Sequence, residues 1–154
     1  MANTTTSLPS YSDEHLTALS TDELWHLLIR NEDRVPRNLI DECARRGDDV
    51  VDHAASLLDK EYYWGEDVTS GEWWLPVHAA MILGLVPTAR ASELLVRYLR
   101  RINHDEDNNR QDWLSGYWEV LFRNKPDSVV PLLRTLAVET VAKAGMRESM
   151  RPKL

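Results

Sequence analysis

Three times in this chain a helical run of apolar residues reaches a tight polar turn, and a second helical run starts at once. The turns are "RRGDDVV", "GLVPTARA" and "RNKPDSVV". Their centres, near Asp49, Thr88 and Asp127, lie about 39 residues apart. A helix pair with one apolar stripe cannot bury that stripe alone, but stacked neighbours can. The spacing therefore predicts an all-α chain in which pairs pack side by side.

The pairs are legible residue by residue. "STDELWHLLIRN" opens with a capping box, Ser20 to Glu23, and Leu24, Trp25, Leu27 and Leu28 form its stripe. "SYSD" offers a similar spacing from Ser10 to Asp13, with a short helix to about Leu19. Leu39, Ile40, Cys43 and Ala44 make one face after Pro36, and Gly47 is placed to end that helix. Val50, Val51, Ala54, Leu57 and Leu58 form the next stripe, behind Asp48 and Asp49 at a positive helix end. "WWLPVHAAMILGLV" is apolar nearly all round and should lie between neighbours. Ala91, Leu94, Leu95, Tyr98 and Ile102 face one way on the following helix. "DWLSGYWEVLFRN" and "DSVVPLLRTLAVETVAKAG" read as the last pair. Pro76 and Pro131 require either a first-turn position or a kinked helix.

The stretch "WWLPVHAAMILGLVPTARASELLVRYLRRI" resembles a HEAT-like repeat: a proline-marked first helix, an alanine-rich middle, a short turn and a leucine-paired second helix. "VPRNLIDECARRGDDVVDHAASLLD" and "YWEVLFRNKPDSVVPLLRTL" are weaker copies, so the resemblance covers roughly residues 35–140. The chain is similar to uncharacterised bacterial HEAT-like proteins. The resemblance implies an antiparallel helix-pair solenoid of about three pairs with an N-terminal helical cap. The corresponding organisation is a flexible arm at 1–9, one helical domain at 10–145 and a polar, basic tail at 146–154.

Charge narrows the function classes. The net charge is −7. That is a poor default for a nucleic-acid binder, whose partner's phosphates need a basic footprint. The charge is uneven. Residues 1–72 hold 16 acids and 6 bases, and residues 73–154 hold 9 acids and 12 bases. A single cysteine, Cys43, excludes an intrachain disulfide, and its apolar helical face makes it a packing residue. There is no signal-peptide pattern at the N-terminus and no apolar run of the roughly 20 residues a membrane span needs. The cytoplasm is the expected compartment, with no membrane partner.

Chemistry-bearing motifs are few. The five histidines offer no i, i+4 metal pair and no H-E-x-x-H, and no phosphate-cradling glycine loop occurs, so neither metal nor cofactor is expected. "DEDNNRQDWLSG" has Arg110 where a calcium loop needs glycine and Gly116 where it needs glutamate, and reads as a solvated loop.

Three candidate surfaces remain. The first is "EYYWGEDVTSGEWW", where Tyr62, Tyr63, Trp64, Glu66, Asp67, Glu72 and Trp73 combine rigid aromatic area with an acidic rim suited to a basic protein partner. Thr69 and Glu72 also have capping-box spacing there. The second is an arginine row, Arg90, Arg97, Arg101 and Arg134, which on a concave face would serve nucleic acid as it does in HEAT-like DNA glycosylases. The third is His78, a general base if set against Glu72 or Asp52. The expected function is a non-catalytic protein–protein interaction or scaffold module. Nucleic-acid binding and a HEAT-like enzyme using His78 are the alternatives, and a homodimer through the C-terminal end is a further partner expectation.

Overall fold

A computed structural model describes residues 7–104, 109–114 and 116–149, with the side chains of 104, 118 and 140–149 left aside. The expected arm and tail lie largely outside it, since 1–6 and 150–154 are not described. The helices are α1 (Asp13–Ala18), α2 (Thr21–Asn31), α3 (Arg37–Arg45), α4 (Asp48–Asp59), α5 (Ser70–Leu85), α6 (Ala89–His104), α7 (Gln111–Leu114), α8 (Trp118–Phe122) and α9 (Val130–Ser149). Two 3₁₀ turns, Glu61–Trp64 and Asp127–Val129, precede α5 and α9. Among the described residues there is no strand, so the all-α class holds.

Helix α5 is the centre, packing against α2, α3, α4, α6 and α8. Its sequence explains the position. Leu75, Val77, Ala79, Ala80, Ile82 and Leu83 are all buried, and they point in every direction around the axis. Two glycines let neighbours come close. A Cβ on Gly71 would lie 2.0 Å from the Ile29 carbonyl oxygen of α2, and one on Gly84 would lie 2.5 Å from Leu121 Cδ2 of α8. The stripes of α2, α3, α4 and α6 face this core: Leu24, Leu28, Leu39, Val50, Val51, Leu95 and Ile102 are each at most 1 % exposed.

The helix ends follow local chemistry. Two of the three expected boxes form. Ser20 and Glu23 cap α2 reciprocally, and Thr69 and Glu72 do so for α5. The Ser10–Asp13 box does not form. Ser12 caps α1 instead, accepting from the His15 amide at 3.1 Å. Gly47 adopts φ +58, the left-handed region open to glycine, between α3 and α4. Pro131 sits in the first turn of α9, whereas Pro76 lies inside α5, past its first turn. The expected single helix over 112–124 is instead α7 and α8, separated by a bend at Gly116 and Tyr117. Helix α9 continues through Ser149, past the expected domain boundary at 145.

Long-range polar clasps hold successive elements. Arg46 Nη2 donates to the Leu16 carbonyl at the end of α1 (3.1 Å), while Arg46 Nε donates to the buried Glu42 carboxylate (3.1 Å). Lys125 Nζ donates to the carbonyls of Leu83 and Val86 where α5 ends, and burial lowers its ammonium to about pKa 8.

Candidate functional site

The aromatic loop is folded inward. Trp64 is 5 % exposed and belongs to the core, with its ring 6.1 Å from that of Tyr98. It does not share a solvent-facing surface with Glu66 and Asp67, which are exposed. The reason is Arg110, fully buried beneath the loop. Its Nε donates to the Trp73 carbonyl and its Nη2 to the Tyr63 carbonyl, both at 2.8 Å. The guanidinium carbon lies 5.2 Å from the Trp64 ring centroid and 5.3 Å from that of Trp73. A planar cation between aromatic faces, with its fork satisfied by carbonyls, suits arginine and not lysine. Arg101 also lies over the Trp64 ring, 5.3 Å from its centroid.

What stays outside is smaller. Tyr62 is about half exposed, meets Tyr63 edge-on, and donates its hydroxyl to Glu72 at 3.1 Å. Burial pushes the Glu72 carboxyl up, but bonds from Thr69 and Tyr62 outweigh it and hold it below its usual value. Trp73 and Tyr63 are half-buried. Of the acidic-aromatic surface expected at this loop, the structure exposes Tyr62, Glu66 and Asp67, and leaves Glu72 engaged in its cap.

The arginine row is matched by carboxylates. Arg90 meets Asp52 and, at 3.7 Å, Asp48. Arg97 meets Asp59 at 3.5 Å and Arg101 meets Glu61 at 2.8 Å. Both sets of numbers rise together, so α4 and α6 run parallel beside one another. Arg100 continues the series with Glu139 of α9 at 2.8 Å. Arg134 on α9 is exposed. The row thus carries alternating charge across its neighbours and not a continuous positive lining.

His78 is 8 % exposed. Its Nε2–H donates to the Glu32 carbonyl at 2.6 Å, and burial pushes its pKa below the usual value. The carboxylates expected beside it are engaged elsewhere: Glu72 with Thr69 and Tyr62, Asp52 with Arg90. The general-base pairing of His78 with either is therefore not built. Glu32 itself has φ +54, an uncommon conformation for this residue, at the end of α2.

A surface that sequence reasoning missed lies on the other side of His78. A cleft of about 310 Å³ opens between α3 and α8 over α5. Ile40 lines it from α3, Met81 and Leu85 from α5, and Val120 and Leu121 from α8, with His78 and Arg37 completing the wall. Beside it runs an exposed apolar strip. Trp113 (54 %), Tyr117 (48 %) and Val120 (53 %) follow one another across α7 and α8. Trp113 meets Trp74 edge-on at 4.8 Å, and Trp74 stacks on His78 at 6.0 Å, so the strip and the cleft wall are continuous. The signal in the sequence was "WLSGYWEV", an aromatic-rich run read only as part of the first helix of the last pair.

Among the described residues, no group of three or more His, Cys, Asp or Glu is placed to hold a metal, and no helix is long and apolar enough to cross a membrane. Comparison with protein-family models, with curated proteins and with solved structures returned no match for this chain.

Proposed function

We propose that this chain is a HEAT-like helix-pair solenoid acting as a non-catalytic interaction module. The solenoid reading is supported by the offsets of its cross-element ion pairs. Asp52–Arg90 and Asp59–Arg97 are each 38 residues apart, Arg100–Glu139 39 and Glu61–Arg101 40. These match the turn spacing of about 39 read from the sequence. Equivalent side chains of successive repeats meet at one repeat length when equivalent helices lie side by side.

The observation that carries the interaction reading is the strip. Trp113, Tyr117 and Val120 present aromatic and aliphatic area to solvent, next to an apolar cleft. A contiguous apolar patch rimmed by polar residues marks a contact surface, and Trp and Tyr dominate such contacts energetically. The acidic tip at Tyr62, Glu66 and Asp67 is the second candidate surface, suited to a basic partner. A second copy of the chain is a further occupant, since α9, the last helix described, exposes Val130 in its first turn and Val138 further along.

Affinity capture from the native host separates these surfaces. Wild-type bait is compared with Trp113→Ser/Tyr117→Ser and with Glu66→Lys/Asp67→Lys. A partner lost with the first variant and kept with the second supports the strip. The opposite pattern assigns binding to the acidic tip, and capture indifferent to both variants overturns the reading.

A further inference from the structure

The α3–α8 cleft has the chemistry of a small-ligand site in its own right. Its volume of about 310 Å³ is at the small end of ligand pockets, ~300–1,000 Å³. At ~30 Å³ per water-sized unit, it accommodates roughly ten heavy atoms. The walls are hydrocarbon and thioether: Ile40, Met81, Leu85, Val120 and Leu121. Gly84 sits at the floor, where its missing side chain lets Leu121 approach.

The two polar groups divide the cleft into an uncharged interior and a charged mouth. His78 is buried, and its Nε2–H is committed to the Glu32 carbonyl, which fixes the other ring nitrogen as an acceptor. It adds no positive charge inside. Among the described lining residues, Arg37 alone carries a formal charge. Its side chain is 74 % exposed, and it donates to Asp41 at 2.9 Å in an i, i+4 pair. Such an exposed pair is weak, so Arg37 can exchange Asp41 for a ligand carboxylate at little cost. An apolar interior excludes a charged body, and a cation at the mouth selects an anionic head.

We propose that this cleft binds a small amphipathic carboxylate, with a hydrocarbon body of roughly ten heavy atoms against Met81, Leu85 and Val120 and its carboxylate at Arg37. This site is independent of the interaction reading, although Val120 belongs to both surfaces.

The test is calorimetric titration with saturated straight-chain carboxylates of graded length, kept below their micelle concentrations. Decanol and decylammonium serve as head-group controls. The expected result is binding with an optimum near ten carbons, weaker for decanol and weaker still for decylammonium. Arg37→Ala should weaken decanoate by about two- to fivefold, the size of an exposed ion pair. Val120→Glu, at a half-exposed position that tolerates a polar side chain, should abolish it. The His78 ring resonance should shift on titration with decanoate. Binding without a length optimum, equal binding of decylammonium, or indifference to Arg37→Ala would overturn the proposal. Absence of any binding would overturn it too, and self-association lost in Val120→Glu would then assign the cleft to a second copy.

Discussion

Arg110 Nη2 donates to the carbonyl oxygen of Tyr63 across 47 residues of chain, and the same guanidinium lies against the ring of Trp64. A buried cation therefore holds the aromatic loop from beneath. Arg110→Ala leaves two carbonyls without this donor and a gap between indoles. A stability loss of roughly 3 kcal/mol is expected, with a red shift in tryptophan emission, both measured in urea titrations. Arg110→Lys should recover little, because an ammonium cannot stack and fork together. A near-neutral Arg110→Ala would show that the loop holds itself.

Gly71 lies close against Ile29 of α2. A methyl there would meet a backbone carbonyl oxygen, which cannot rotate away as a side-chain tip could. Gly71→Ala should cost about 3 kcal/mol despite the higher helix propensity of alanine. Thermal unfolding checks this, and a stabilised variant would contradict the packing of these two helices.

Two histidines should impose opposite pH slopes. Burial holds His78 below its usual pKa, so the unfolded chain takes up a proton that the folded chain refuses. Stability then falls as the pH drops below about 6.5. For His53, burial acts in the same direction. It is outweighed because Nδ1–H donates to the Asp49 carbonyl (2.8 Å) and Nε2–H to Asp22 (2.5 Å), and the net shift is upward. Its contribution is complete below about pH 6.5 and is lost as the pH rises through the folded value. Urea midpoints measured from pH 5 to 8 should lose their acid-side decline in His78→Gln and their alkaline-side decline in His53→Gln.

Cys43 is fully buried, and burial pushes its thiol up to about 12. A thiol-specific disulfide reagent should therefore react only as fast as the protein opens. Rapid labelling under native conditions would contradict the packing of α3.

The charge alternation on α4 and α6 should mask the arginine row. Asp52→Ala/Asp59→Ala removes the nearer carboxylate of Arg90 and the carboxylate of Arg97, leaving Arg90 with Asp48 at 3.7 Å. Binding of duplex DNA at about 50 mM salt should then rise above wild type and decline steeply with added salt. Equal affinity of the two proteins would show that the carboxylates do not screen this face.

The helices were legible because their signals are local. The stripes of α2, α4 and α6 repeat every three or four residues, and Ser20–Glu23 and Thr69–Glu72 are caps three residues long. The site was much less legible. Arg110 sits in the polar run "NHDEDNNRQ", and nothing within it says that the side chain turns inward toward Tyr63 and Trp73, 47 and 37 residues away. Trp64 and Trp113 are the same residue type in similarly polar company, yet one is 5 % and the other 54 % exposed. That difference is set by what the chain brings to each ring from a distance, not by neighbouring sequence. The break at Gly116 and Tyr117 between α7 and α8 was likewise not legible in the helix-pair pattern.

The cations that close α5 and its loop come from later in the chain. Arg110 secures Tyr63 and Trp73, and Lys125 secures Leu83 and Val86. During synthesis at ~5–20 residues per second, α5 is therefore made several seconds before its last polar partners. Over that interval its apolar circumference and open carbonyls belong to a nascent chain. The polar closure of α5 is thus ordered in time by the direction of synthesis.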